Sequence, residues 1–134
     1  MDFCGEIVFA VSDSKNLNID FETGFLPTKI ITKGERLALG KKAPANRWIH
    51  VIKFYNQHEY LEQFEKLADQ LLRNGKYVNE LINTYERVSI NIYIRSDYAE
   101  LGYSLPVGII KKLALLECPV NYSILSFGMA VCEW

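Results

Sequence analysis

A chain of 134 residues has room for one hydrophobic core, burying roughly two-thirds of the surface its unfolded form exposes. With 49% hydrophobic and 23% charged residues it is too apolar for disorder, and it holds no run near the ~20 apolar residues that span a bilayer. The net charge of −1 hides a segregation: residues 28–53 carry seven bases (Lys29, Lys33, Arg36, Lys41, Lys42, Arg47, Lys53) against Glu35 alone, which leaves −7 for the rest of the chain. Such polarity bears on partners rather than on fold.

In chain order, GEIVFAVS alternates with Ile7, Phe9 and Val11 on one side and reads as a half-buried first strand. Residues 16–47 show no sustained period and contain Gly24, Pro27, Gly34, Gly40 and Pro44, so a long basic loop with short turns is expected there. RWIHVIKFY is the second strand, apolar on both faces and therefore expected at the centre of the sheet. HEYLEQFEKLADQLLRNG repeats apolar residues at three- and four-residue steps and is the strongest helix, with Glu62–Lys66 and Asp69–Arg73 as i,i+4 pairs and Gly75 as its stop. KYVNELINTY makes a shorter helix with Val78, Leu81, Ile82 and Tyr85 inward.

RVSINIYIRS alternates throughout: Val88, Ile90, Ile92 and Ile94 form one face, Ser89, Asn91, Tyr93 and Arg95 the other. After the loop DYAELGYS comes a third helix, LPVGIIKKLALLE, with Pro106 near its first turn, and CPVNYSILSFG supplies the last strand. The predicted fold is α+β, a single two-layer domain over residues 1–134: a four-stranded mixed sheet with helices packed on one face. Helical connections favour parallel pairing of the later strands, while the first two pair antiparallel.

Cys4, Cys118 and Cys132 show no CxxC or Cys/His metal spacing, so buried, reduced thiols are expected and no cofactor is implied. The start, MDFCGEIVFAVSDS, has an acid where a signal peptide needs bases, and the expected location is the cytoplasm, without membrane attachment.

GERLALGKK resembles a phosphate-binding loop only loosely, since five residues separate Gly34 from Gly40 where four are needed and Lys42 stands where Ser or Thr is required. The bases of the loop, Lys29, Lys33, Arg36, Lys41 and Lys42, with Gly34 and Glu35 at its turn, instead form a candidate binding segment for an acidic protein surface or for nucleic-acid phosphates. A second candidate is the polar sheet face, where Glu6, Ser89, Asn91, Tyr93, Arg95, Asn121 and Ser123 would meet; Tyr and Arg are both enriched at protein interfaces. Catalysis has little to stand on. His50 lies among apolar strand residues, His58 belongs to a helix start, Glu62 and Glu65 fall on an exposed helix face, and GxSxG and HExxH are lacking. A small pocket using Glu35 or a cysteine is the remaining enzymatic reading.

The run FLPTKIITKGE, with Pro27, Thr28, Lys33, Gly34 and Glu35, then the strand at Trp48, the long helix and YIRSDYAELGYSLPVGIIKKL, resembles a bacterial family known as domain of unknown function 4279. The resemblance implies a small α+β domain and a bacterial origin, and brings no activity with it. By analogy with bacterial families of similar size that include immunity proteins, the expected role is a non-catalytic protein-binding module of immunity or regulatory type. Nucleic-acid or anion binding by the loop is the alternative.

Overall fold

The computed structural model describes residues 3–96 and 103–126. Five strands and three helices follow one another as β1 (Phe3–Asp13), β2 (Lys29–Ile31), β3 (Asn46–Phe54), α1 (Gln57–Arg73), α2 (Gly75–Thr84), β4 (Arg87–Ser96), α3 (Val107–Leu116) and β5 (Val120–Ser126). The expected fold class is found, with one correction: the sheet has five strands rather than four, in the order β2-β3-β1-β4-β5. The added strand, Lys-Ile-Ile, is three residues long and lies inside the segment read as loop. Three residues are too few to show a period of two, so only the partner strand reveals it.

β1 pairs antiparallel with both β3 and β4, β2 pairs antiparallel with β3, and β4 pairs parallel with β5. β3 is interior, as expected, flanked by β2 and β1, while the middle strand of the five is β1. That position shows in β1's second face, where Val8 and Ala10 are also buried, at 5% exposed against 0% for the better-patterned Ile7, Phe9 and Val11.

The helices cover one face. Ile7, Phe9 and Val11, with Trp48, Phe54, Ile90, Ile92 and Ile94, meet Tyr60, Phe64, Leu67 and Leu71 of α1, Val78 and Leu81 of α2, and Ile109 and Leu116 of α3 in one core cluster. Asn56 starts α1 by accepting the Glu59 N–H at 2.8 Å, while Glu59 Oε1 accepts the Tyr55 N–H at 3.0 Å. Gly75 does not end the chain's helical run: Asn74 closes α1 and Gly75 opens α2 directly. Asp69 pairs with Lys112 of α3 at 2.7 Å, and Arg73 Nε donates to the Asp69 carbonyl oxygen instead, at 3.4 Å. That interhelical bridge, which also reaches Glu65 at 3.6 Å, joins elements that sequence spacing cannot relate.

Part of the segment expected to be loop is core. Phe21 and Phe25 are buried with Phe9, Trp48 and Tyr77, with Phe21–Tyr77 ring centroids 4.8 Å apart and Phe21–Phe25 5.0 Å apart. Gly5 of β1 has no space for a side chain, since a Cβ there would sit 1.9 Å from the Tyr93 carbonyl oxygen and 2.6 Å from the Phe54 ring. Cys118 is a free, buried thiol, as expected; Cys4 is disulfide-bonded, against the expectation of reduced thiols, because spacing along the chain does not report spatial neighbours. Residues 97–102 of the expected loop and 127–128 of the expected last strand lie outside the described residues. Among the described residues no helix is long and apolar enough to cross a membrane.

Candidate functional site

The face of the sheet away from the helices is built by the alternate residues of each strand. Strand register sets them in rows: Arg47, Ser12 and Arg87; then Ile49, Ala10 and Ser89; then Val51, Val8, Asn91 and Asn121; then Lys53, Glu6, Tyr93 and Ser123. The seven residues expected to share a polar face do so, and Arg95 follows one row further on, beside Leu125. Asn121 Nδ2 donates to Asn91 Oδ1 at 3.0 Å, tying β5 to β4 across this face.

The basic segment folds onto the same side. Ile31 and Ala43 are buried against Val8, Ala10 and Ile49, with Leu37 and Val51 packed at the margin, so residues 31–43 form a small second core on half of the helix-free face. The segment between is a closed hairpin. Gly34 N–H donates to the Ala43 carbonyl at 2.9 Å, Ala43 N–H to the Glu35 carbonyl at 2.8 Å, and Leu37 N–H to the Lys41 carbonyl at 2.6 Å. Gly34 holds φ +87°, a left-handed conformation that favours glycine, where the Thr32–Glu35 turn reverses. The Glu35 carboxylate accepts the Thr32 N–H at 3.0 Å, so the acid singled out as a candidate catalyst serves the turn. Asn46 fixes the base of the hairpin, accepting from Lys33 N–H and donating to the Lys15 carbonyl, each at 2.8 Å. The hairpin runs into β3 rather than into a helix, so a phosphate-binding loop is not formed.

Lys29, Lys33, Arg36, Lys41 and Lys42 are all exposed. At the hairpin tip Leu39 is 96% exposed with φ +64°. The structure therefore brings Lys33, Gly34, Glu35, Arg36, Lys41 and Lys42 together on one projection, with Lys29 on β2 at its foot. Tyr93 and Arg95 lie on the same face but three strands away from β2, with β3 and β1 between.

Between the hairpin's return arm and β5 runs a trough of about 950 Å³. Its floor includes the small residues Ala10, Ser12 and Ser89, Pro44 and Ala45 form one wall, and Pro119 and Asn121 line the other. Tyr93, 40% exposed, stands between this trough and a second depression lined by Glu6, Arg95, Ser123 and Leu125. Sequence reasoning singled out Tyr93 but missed the trough and the arginines Arg47 and Arg87 at its end. The signal available was the matching start of two strands, RWIHVIKF and RVSINIYI, each with Arg in first alternate position.

The remaining candidates for chemistry are satisfied structurally. His50 Nδ1 lies 2.6 Å from the Leu26 carbonyl oxygen and its ring stacks on Phe25 with centroids 4.1 Å apart. Burial pushes the Cys118 thiol up to about 11, far from the thiolate a nucleophile requires near neutrality. The Tyr60 hydroxyl, 3.0 Å from that of Tyr122, has its pKa raised by burial first and then by that hydrogen bond, and the contact links α1 to β5.

The sequence model of the family described as Domain of unknown function (DUF4279) matches residues 7–126, from β1 to the last described residue of β5. The chain belongs to this family. No curated protein and no solved structure matches it. The match spans the sheet, the hairpin and all three helices of this DUF4279 domain, so the helix-free face with its trough falls within the matched residues.

Proposed function

We propose that this DUF4279 domain is a non-catalytic, cytoplasmic protein-binding module, of immunity or regulatory type, that engages an acidic partner through the helix-free face of its sheet. The observation that supports it is the placement of two features on one face: the exposed Tyr93 ridge with the half-buried Arg95 beside it, and the five-base hairpin that folds over the same layer. Tyr and Arg supply anchoring area and directed hydrogen bonds, and the rim bases speed encounter with an acidic surface. Among the described residues no helix is long and apolar enough to cross a membrane, while the disulfide at Cys4 is of a kind uncommon in reducing compartments.

The test is capture from native lysate by three baits: the natural protein, Tyr93→Ala/Arg95→Ala, and a variant with Lys29, Lys33, Arg36, Lys41 and Lys42 changed to Glu. Eluates are read by mass spectrometry with and without nuclease. A protein partner that survives nuclease and is lost from both variants supports the reading. Recovery of nucleic acid, lost only from the charge variant and falling steeply with salt, replaces it with the alternative of phosphate binding by the hairpin. A partner held equally by all three baits refutes both surfaces.

A further inference from the structure

The structure assigns an oxyanion-binding site to the end of the trough, formed by Arg47 and Arg87 on either side of Ser12. Register sets Ser12 of β1 directly opposite Arg47 of β3 and Arg87 of β4, and all three residues line the same cavity. With neighbouring strands about 4.8 Å apart, the two arginine Cα atoms are roughly 10 Å apart, within reach of convergence for side chains of this length. Among the described residues neither guanidinium takes part in an ion pair.

Two like charges in one row of a sheet repel, an unfavourable arrangement in the free protein that an oxyanion between them would offset. The guanidinium fork matches the paired oxygens of carboxylate and phosphate, and the half-buried Ser12 hydroxyl between the forks is placed to donate a further hydrogen bond. The next row, Ala10 and Ser89, is small, which gives the trough its depth beside the arginines, and the Pro44–Ala45 wall shields one side from water. Two carboxylates also line the cavity. Glu86 has its Oε1 turned to Ser14, accepting both the N–H and the hydroxyl of that residue at 3.0 and 2.5 Å. Glu117 lies on the β5 side, next to Pro119, and disfavours a second negative charge at that end. The site thus suits a ligand with one anionic end, a carboxylate or a phosphate group, and a neutral polar body reaching toward the Asn91–Asn121 amide pair and Tyr93. The source is either a free small molecule or an acidic side chain of a polypeptide.

This site is read on Arg47 and Arg87 and does not depend on Tyr93, Arg95 or the hairpin bases. The experiment is a ¹H–¹⁵N NMR titration of the full chain with inorganic phosphate, N-acetylglycine and the doubly capped peptide Gly-Glu-Gly, each against sodium chloride at matched ionic strength. It is repeated on Arg47→Gln, Arg87→Gln and, for comparison, Lys41→Gln/Lys42→Gln. We expect saturable shifts of the Ser12, Arg47, Arg87 and Ser89 amides, an apparent Kd weakened at least about tenfold in either arginine variant, and little change in the lysine variant. Tighter binding of the capped Gly-Glu-Gly peptide than of N-acetylglycine and phosphate identifies a polypeptide source, and the reverse a free oxyanion. Shifts reproduced by chloride, or lost as fully in the lysine variant as in the arginine variants, overturn the assignment. Dispersion of the same spectra verifies that each variant is folded.

Discussion

Phe21 decides whether residues 16–27 are a loop or a lid on the core. Its ring is 4% exposed and meets Tyr77, Phe25, Trp48 and Phe9 at centroid distances of 4.8, 5.0, 5.5 and 6.3 Å. The backbone around it is also held: Asp20 N–H donates to the Tyr77 hydroxyl at 2.8 Å and Gly24 N–H to the Phe21 carbonyl at 3.2 Å. Truncating a fully packed Phe to Ala costs about 3–5 kcal/mol, and the irregular segment that carries it can settle partway into the gap, so Phe21→Ala is expected to lose about 3–4 kcal/mol. At about 2.1 cal/mol/K per residue, the unfolding entropy of a chain this long is roughly 0.28 kcal/mol/K, which makes the fall in Tm about 11–14 °C. Phe21→Leu retains most of the volume and is expected to lose about 1–1.5 kcal/mol. Urea denaturation followed by far-UV circular dichroism measures both. A loss below about 1 kcal/mol for Phe21→Ala, the range of surface substitutions, would show that the ring is not part of the core.

Gly5→Ala is expected to cost at least about 3 kcal/mol or to abolish soluble expression, because the added Cβ meets backbone oxygen as well as the Phe54 ring; a thermal melt within a few degrees of the natural protein contradicts this. Leu39→Gly should stabilise the free protein by about 0.5–1 kcal/mol, since the left-handed backbone at φ +64° strains a Leu whose side chain packs on nothing; differential scanning calorimetry reports the sign. Asp13 accepts the Lys15 N–H at 2.7 Å and the Glu86 N–H at 3.0 Å, and the first of these chiefly holds its carboxyl below the usual 3.8 against the opposing effect of burial. A lowered folded value stabilises above the ordinary value and is lost as pH falls below it, so Asp13→Asn should destabilise at pH 6 and its gap from the natural protein should narrow by pH 3 in urea titrations.

What could be read from sequence was periodicity, and what could not was contact between segments without it. The alternation of Ile7, Phe9 and Val11 and of Val88 to Ile94 placed both strands and both of their faces, and every residue assigned to the polar face is found there. The three-residue β2 has no period to read, and Phe21 and Phe25 lie in a stretch whose glycines and proline mask two core positions. The basic segment was legible as turn-rich and charged, yet its place over the sheet depends on Ile31 and Ala43 finding Val8, Ala10 and Ile49, apolar residues on a face otherwise read as polar. Two candidate surfaces considered separately in sequence therefore share one face of the sheet. The Arg47–Ser12–Arg87 row needed strand register, which depends on which strand comes to lie between β3 and β4.

That middle position of β1 has a kinetic side. β1 precedes both of its partners in the chain, and its register joins Gly5 to Phe54 on one edge and to Ile94 on the other, so its ladder with β3 waits for Phe54 and its ladder with β4 waits for Ser96, well past the middle of the chain. The pairings are distant in sequence, and folds dominated by such pairings cross their barrier slowly because the loop-closing entropy is spent before the contacts form. Until β3 and β4 arrive, a strand apolar on one side and partly so on the other waits with its backbone groups open to any extended segment that reaches it first. Synthesis rate and temperature should therefore govern the soluble yield of this protein more strongly than its final stability does.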